Sequence, residues 1–186
     1  SLYPSIAIEH GYYPEHLGPR FVDVYRDLRT KRISFKKGTM QNGALKLALN
    51  GTYGASNDKF SVFYDPLFTM KITIGGQLMI AMLAEKLIGV PCVQIIQANT
   101  DGITLYLHRE LLKNVEAICS YWEQLTKLQL EKVEYKRMAI ADVNSYIAVG
   151  TDGKVKRKGR YEHKLEWHKN HSALVIAKIV EKVIVE

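Results

Sequence analysis

Apolar side chains recur three and four residues apart between Arg20 and Arg32, through Phe21, Val24, Tyr25 and Leu28, and this spacing predicts an amphipathic helix. Gly38 and Asn42-Gly43 predict a loop after it. A second helix is predicted from Ala44 to Tyr53, closed by Gly54 as a left-handed cap. From Thr69 to Ile88 the chain is apolar nearly all round, which predicts a long helix buried beneath a sheet. Gly75-Gly76 inside that helix points to close packing. Two short apolar runs, Val93 to Ile96 and Ile103 to Tyr106, flank Gln97-Ala98-Asn99-Thr100-Asp101-Gly102 and predict a β-hairpin. His108 to Leu128 predicts another helix, with Leu112, Val115, Ile118, Cys119, Trp122 and Leu125 as its core stripe. A strand is expected over Leu130 to Tyr135. Ser145 to Val149 and Lys154 to Arg157 flank Thr151-Asp152-Gly153 as a second hairpin, and Ser172 to Val185 closes the chain as a helix. At the other end Leu2 and Tyr3 are expected to finish a strand, with Pro4 opening a helical turn. The fold class is α/β (α+β): an antiparallel sheet with packed helices and a projecting helix pair.

Composition adds a modest bias. The 186 residues are 47% hydrophobic and 24% charged, ordinary for a globular chain with a sizeable core. Lys and Arg outnumber Asp and Glu by 26 to 19, a net charge of +7 that suits a polyanionic partner. Cys92 and Cys119 lack metal-type spacing and are expected as buried thiols in a reducing compartment. Gln77, Glu85 and Lys86 interrupt the longest apolar stretch, so no membrane span is expected. No internal repeat, Walker-type loop or GxGxxG is found.

Three stretches carry candidate chemistry. Asp101 at a tight hairpin turn offers a rigid carboxylate to a hard cation such as Mg2+, although the same residues also make an ordinary turn. Lys46, Asn50 and Tyr53 stand four and then three apart, which sets an ammonium, an amide and a phenol on one helix face; a solvated polar face has the same pattern. Backbone N–H groups where Ser1-Leu2-Tyr3-Pro4-Ser5 enters a helix can cradle phosphate. Lys154, Lys156, Arg157, Lys158 and Arg160, ending at Tyr161, form the densest basic run. It suits a nucleic-acid backbone or, equally, a charged edge strand. His163, His168 and His171 have no partner set for a metal and are expected at the surface.

Together these stretches resemble the family B DNA polymerases, most closely those of bacteriophages and mobile elements. Ser1-Leu2-Tyr3-Pro4-Ser5 resembles the second half of motif A, D-x-x-S-L-Y-P-S. Lys46 to Gly54 resembles motif B, K-x-x-x-N-x-x-Y-G. Asn99-Thr100-Asp101 resembles motif C, D-T-D, and Lys158 to Tyr161 resembles the K-x-Y element that holds the primer. The resemblance implies a palm over 1–18, fingers with motif B over 19–55, palm with motif C over 56–150, and an approach to the thumb over 151–186. It implies template-directed DNA synthesis from dNTPs on primer-template DNA, with two Mg2+ ions (or Mn2+) as cofactors, in the cytoplasm and away from membranes.

The roles it implies are specific. Asp101 is the metal-binding catalytic carboxylate, and Lys46 is catalytic and nucleotide-binding. Leu2, Tyr3, Arg32, Lys36, Asn50 and Tyr53 complete the nucleotide site, with Tyr3 excluding a 2′-hydroxyl. Gly54, Lys156, Lys158, Arg160 and Tyr161 contact DNA. The departures are Asn99 at the first motif C position, Gly159-Arg160-Tyr161 in place of K-x-Y, and the motif A aspartate, which would stand three residues before Ser1. The chain is therefore expected to be a palm-fingers portion of a longer polymerase with exonuclease and thumb segments elsewhere, inactive alone. Two alternatives remain: a degenerate polymerase fold that binds nucleic acid without catalysis, and an assembly module that meets no nucleotide.

Overall fold

A mostly apolar segment of eight residues, Leu2–Glu9, forms the helix α1, whose buried side chains lie in the core of the first unit. The computed structural model describes residues 2–162 and 174–185. Contacts divide the chain into two units, Ser1–Leu130 and Glu131–Glu186. The described fold is mixed helix and sheet, with two small antiparallel sheets.

In the first unit Pro4, Ile6, Ala7 and Ile8 of α1 are buried, Ile6 and Ala7 completely. Burying a side chain such as Ile6 stabilises by about 1.5–3 kcal/mol. Leu2 and Tyr3 are helical and do not end a strand, contrary to the sequence expectation. Pro4 falls in the first turn, where its missing N–H breaks no bond, so the helix extends upstream of it.

Gly18, at φ 69°, and Pro19 then turn the chain into α2, Arg20–Ser34. Val22 and Tyr25 are its buried residues, Phe21 and Leu28 are partly buried, and Val24 is exposed, so the stripe is rotated from the predicted one. Helix α3, Met40–Ala55, starts four residues before the predicted Ala44, because Thr39 caps it by accepting a bond from the Asn42 N–H at 3.3 Å. Asn42 and Gly43 therefore lie in the helix and not in a loop. Gly54 is helical as well, since the helix runs through Ala55 and ends in a cap at Ser56 without any left-handed residue. The buried Tyr25 hydroxyl donates to the Leu49 carbonyl, locking α2 to α3.

Helix α4, Pro66–Ile88, is capped by Asp65, whose carboxylate accepts from the Phe68 N–H at 3.0 Å and the Glu15 N–H at 2.9 Å. It is long and apolar enough, by length and composition, to cross a membrane. One face packs on the core through Phe68, Ile72, Gly76, Leu83 and Leu87. The prediction of burial all round fails on the other face, where Leu67, Met70, Ile74, Leu78 and Ile88 are exposed. The predicted close approach falls at Gly76: a Cβ there would meet Ile6 Cδ1 at 3.1 Å, whereas Gly75 faces open space. The predicted hairpin forms from β1, Gln94–Ala98, and β2, Ile103–Tyr106, with Ile95 opposite Leu105 and Ala98 opposite Ile103. Val93, Ile103 and Leu105 pack against the same core.

Helix α5, Leu112–Thr126, follows a single 3-10 turn and buries Val115 and Trp122, while the predicted Leu125 is exposed. The Trp122 indole N–H donates to the Met79 carbonyl at 2.8 Å, tying α5 to α4. Cys119 is half-buried and Cys92 exposed, so only the first approaches the buried thiol expected.

In the second unit β3, Tyr135–Asp142, β4, Ser145–Gly150, and β5, Val155–Lys158, form an antiparallel meander. The strand expected over Leu130 to Tyr135 begins only at Tyr135 and runs on to Asp142. The β4–β5 turn is as predicted, with Gly153 at φ 79°. Helix α6 spans Leu174–Val185. His163, His168 and His171 lie outside the described residues.

Candidate functional site

The residues singled out from the sequence fall in three places, two in the first unit and one in the second. The first is the junction of α1 with α3. The rings of Tyr3 and Tyr53, fifty positions apart in sequence, meet with centroids 4.3 Å apart and planes tilted by 35°. Aromatic pairs at such separations add about 0.5–1.5 kcal/mol beyond their burial. Burial, and then the adjacent Tyr3, holds the Tyr53 hydroxyl above its ordinary pKa, so it remains a neutral donor at physiological pH. Asn50, one turn before Tyr53, is half-buried, and Lys46, one turn further back, is exposed with no ion-pair partner among the described residues. Leu2 and Tyr3 occupy the first turn of α1, where helical N–H groups have no intrahelical acceptor.

The helix pair continues the site. Arg32 stands in the last turn of α2, and Lys36 lies beyond its end, in the turn to α3. Asn42, which sequence reading placed in a loop, is only 7% exposed. Its side-chain amide donates to the carbonyls of Arg32 and Phe35, each at 3.0 Å. Only the unusual pairing of a buried Asn with a Thr39 cap three positions earlier could have revealed this. From Arg20 to Lys46 eight basic residues face two acidic ones, a net +6 in a chain whose total is +7. Arg26 is paired with Asp23 at 3.0 Å and Arg29 with Glu9 of α1 at 3.1 Å.

The second place is the β1–β2 turn. Asp101 is exposed, and its N–H donates to the Asn99 side-chain oxygen at 3.2 Å, while the Asn99 N–H donates to the Gly102 carbonyl at 2.9 Å. Asn99 is thus occupied in shaping the turn that displays Asp101. Behind it the nearly buried Gln97 receives a long bond of 3.5 Å from Thr104. One exposed carboxylate suits a single Mg2+ that takes its other ligands from water and substrate phosphates. Among the described residues no group of three or more His, Cys, Asp or Glu gathers to hold a metal.

The third place is β5 with the 3-10 turn Gly159–Tyr161. Here the basic run is largely matched within its own unit. Lys154 pairs with Asp152 at 2.8 Å, Arg160 with Asp142 at 2.9 Å, and Arg157 makes a two-pronged bond to Glu181 of α6. Lys156 donates to the Tyr135 hydroxyl at 3.3 Å and lies 5.8 Å from the Tyr146 ring centroid. Burial works against its charge, and hydrogen bonds to Tyr135 and Tyr146 outweigh it, so the ammonium sits above its ordinary pKa. Lys158 is exposed and Tyr161 half-buried. Gly159 has φ 60°, and a Cβ there would meet the Asn144 carbonyl oxygen at 2.4 Å, so the turn requires glycine. Gly54, predicted to touch DNA, is an exposed residue of α3 in the first unit. Comparison of the chain with protein-family models and with curated proteins finds no match.

Proposed function

We propose that the first unit binds a deoxynucleoside triphosphate, as the palm and fingers of a family B-like DNA polymerase. The observation that carries the reading is the Tyr3–Tyr53 contact, which joins the Leu-Tyr-Pro-Ser turn to the Lys46/Asn50/Tyr53 face. In this reading the paired rings form the floor of the sugar and base site, and Tyr3 leaves no room for a 2′-hydroxyl. Asn50 offers hydrogen bonds, Lys46 neutralises phosphate charge, and the N–H groups at the head of α1 bind phosphate oxygens. Asp101 would hold Mg2+, whose chemistry is to polarise the phosphoryl group and neutralise the leaving pyrophosphate. The reaction forms a bond between the primer 3′-oxygen and the α-phosphorus and breaks the bond to pyrophosphate. Primer-template DNA is the macromolecular partner, favoured by the positive helix pair.

The test is a titration of the chain with a dNTP in Mg2+ and again in EDTA. Lys46→Ala should weaken binding about tenfold to a hundredfold, the range for a charge-assisted phosphate contact, while Lys59→Ala, in the turn beyond α3, should change it little. Equal losses would reduce the face to a solvated one. DNA binding without dNTP binding would favour a nucleic-acid-binding module without catalysis.

A further inference from the structure

We propose that the chain forms a weak two-fold dimer through the outer face of α4, which pairs antiparallel with α4 of a second copy about an axis at Leu78. The inner face of this helix closes the core through Phe68, Ile72, Gly76, Leu83 and Leu87. Its outer face is also apolar, with Leu67, Met70, Ile74, Leu78, Ala81 and Ile88 all exposed. Folded chains rarely leave a contiguous apolar stripe uncovered along a whole helix, and one that persists marks a contact surface. With Glu85 included, the stripe advances by three or four residues at every step, near the period of about 3.5 residues that holds one helix face against another over a long contact. A second helix is therefore the shape that this face fits.

The charges on this face identify the second helix as another α4. Lys71 and Glu85 are exposed and stand seven positions before and seven positions after Leu78. Neither has an ion-pair partner among the described residues; the Lys71 ammonium lies 6.0 Å from the Tyr12 ring centroid, a contact that leaves its charge unneutralised. An antiparallel pair with its axis at Leu78 sets Lys71 of each copy beside Glu85 of the other. The two-fold repeats that pairing, so both charges of both copies are matched. A parallel pair would set like against like. A bilayer fits less well, because Glu85 falls within the stripe and would find no counter-charge in lipid. The size of the face bounds the affinity. The 23 residues of α4 span about 34 Å, and a contact about 10 Å wide covers on the order of 340 Å² of each copy in projection. A standard interface takes about 800 Å² from each partner, so the dimer is reversible, with a Kd expected in the tens of micromolar. The proposal does not rest on the nucleotide reading, since Lys71, Leu78 and Glu85 belong to none of its contacts.

The experiment is sedimentation velocity of the full chain from low micromolar to several hundred micromolar concentration, with thermal unfolding of dilute samples as the check on folding. The parent chain should pass from monomer to dimer. Leu78→Lys sets two ammonium groups at the axis and should weaken association tenfold or more; Leu78 is 65% exposed, so the dilute variant should unfold with the parent. Lys71→Glu alone, or Glu85→Lys alone, should weaken it by about threefold or more, and the two together should restore it, because the exchange keeps opposite charges face to face. That mutual rescue is specific to the antiparallel pairing. A chain that stays monomeric throughout, a dimer indifferent to Leu78→Lys, or charge reversals that do not rescue each other would overturn the proposal. So would flotation of a monomeric chain with phosphatidylcholine vesicles that Leu78→Lys abolishes, which would assign the face to lipid.

Discussion

The α2–α3 helix pair and strand β5 are the two basic regions of the chain, dispersed in the first and dense in the second, and they use their cations differently. On β5 and its turn, Lys154, Arg157 and Arg160 each have a carboxylate within their own unit, and Lys156 rests on two tyrosines. In the helix pair Arg26 and Arg29 are paired with carboxylates, while Lys31, Lys36 and Lys46 have no ion-pair partner among the described residues. In the densest basic run most cations are therefore held within their own unit, whereas Lys31, Lys36 and Lys46 of the more dispersed one are not. Pairing depends on Asp142, Asp152 and Glu181, which strand register and helix docking bring to the cations.

The largest effect expected from this contrast is a crossed result. Arg157→Ala strips Glu181 of its bidentate partner and should destabilise the second unit by about 1–2 kcal/mol, a charge-assisted bond discounted for partial exposure. It should leave dNTP affinity unchanged. Lys46→Ala should lower dNTP affinity with a stability change within about 0.5 kcal/mol, as for other surface substitutions. Urea unfolding and ligand titration on the same two variants measure both; a Lys46→Ala chain that lost stability as much as Arg157→Ala would erase the distinction.

A smaller effect tests the tyrosine pair. In a double-mutant cycle with Tyr3→Leu and Tyr53→Leu, the coupling energy should be about 0.5–1.5 kcal/mol. A dNTP titration of the same variants should show both substitutions weakening binding. A coupling seen in stability but absent from binding would leave Tyr3 and Tyr53 as core residues only.

Much of this was legible in the sequence where a local rule decided the outcome. The Asn99–Gly102 and Thr151–Gly153 turns, α2, and the closing helix follow from turn chemistry and from helical periodicity. The close approach at one of two adjacent glycines was also readable, because nothing else favours Gly76 inside an apolar helix. The failures have tertiary causes. Val24 was placed inward by spacing, but Val22 is the buried residue and Val24 is exposed. The exposed face of α4 carries Leu67, Met70, Ile74 and Leu78, which no periodicity could distinguish from a buried one. Asn42 was misplaced because Asn-Gly reads as a turn, whereas here its amide closes the end of another helix. The sequence marked Tyr3, Asn50 and Tyr53 as candidates, and the Tyr3–Tyr53 contact required the fold.

On DNA, the contrast predicts unequal salt slopes. Lys158→Ala removes an exposed cation and should reduce the slope of log affinity against log salt by about one if β5 meets the phosphate backbone. Lys154→Ala should change it less, since its ammonium is already held by Asp152 at 2.8 Å. Equal slopes for the two variants would mean that DNA breaks the internal pair on binding.

The smallest effect is the response of these pairs to acid. Asp142 is held below the ordinary carboxylate range, chiefly by the Asn144 N–H and further by Ser145 and Arg160. Asp152 is held below it by Lys154, through both its ammonium and its N–H. Each carboxyl is more acidic in the folded chain than in the unfolded one. Its contribution is therefore complete above the unfolded value of about 3.9, and it fades as pH falls through the lower folded value. Asp65, lowered by the Glu15 and Phe68 N–H groups against the opposing effect of burial, places the cap of α4 under the same rule in the first unit. Both carboxylates of the second unit are exposed, so each change is slight, and amide exchange is a better readout than global unfolding. Between pH 5 and pH 3, protection of the Asn144 and Lys154 N–H groups should fall relative to that of strand-centre amides such as Ile147. The Asn42 N–H in the α2–α3 pair, whose acceptor is the Thr39 hydroxyl, should keep its protection, because no carboxylate holds it. Loss of protection at Asn42 in step with Asn144 would mean that the helix pair also depends on titrating partners, and that the two basic regions differ less than their ion pairs suggest.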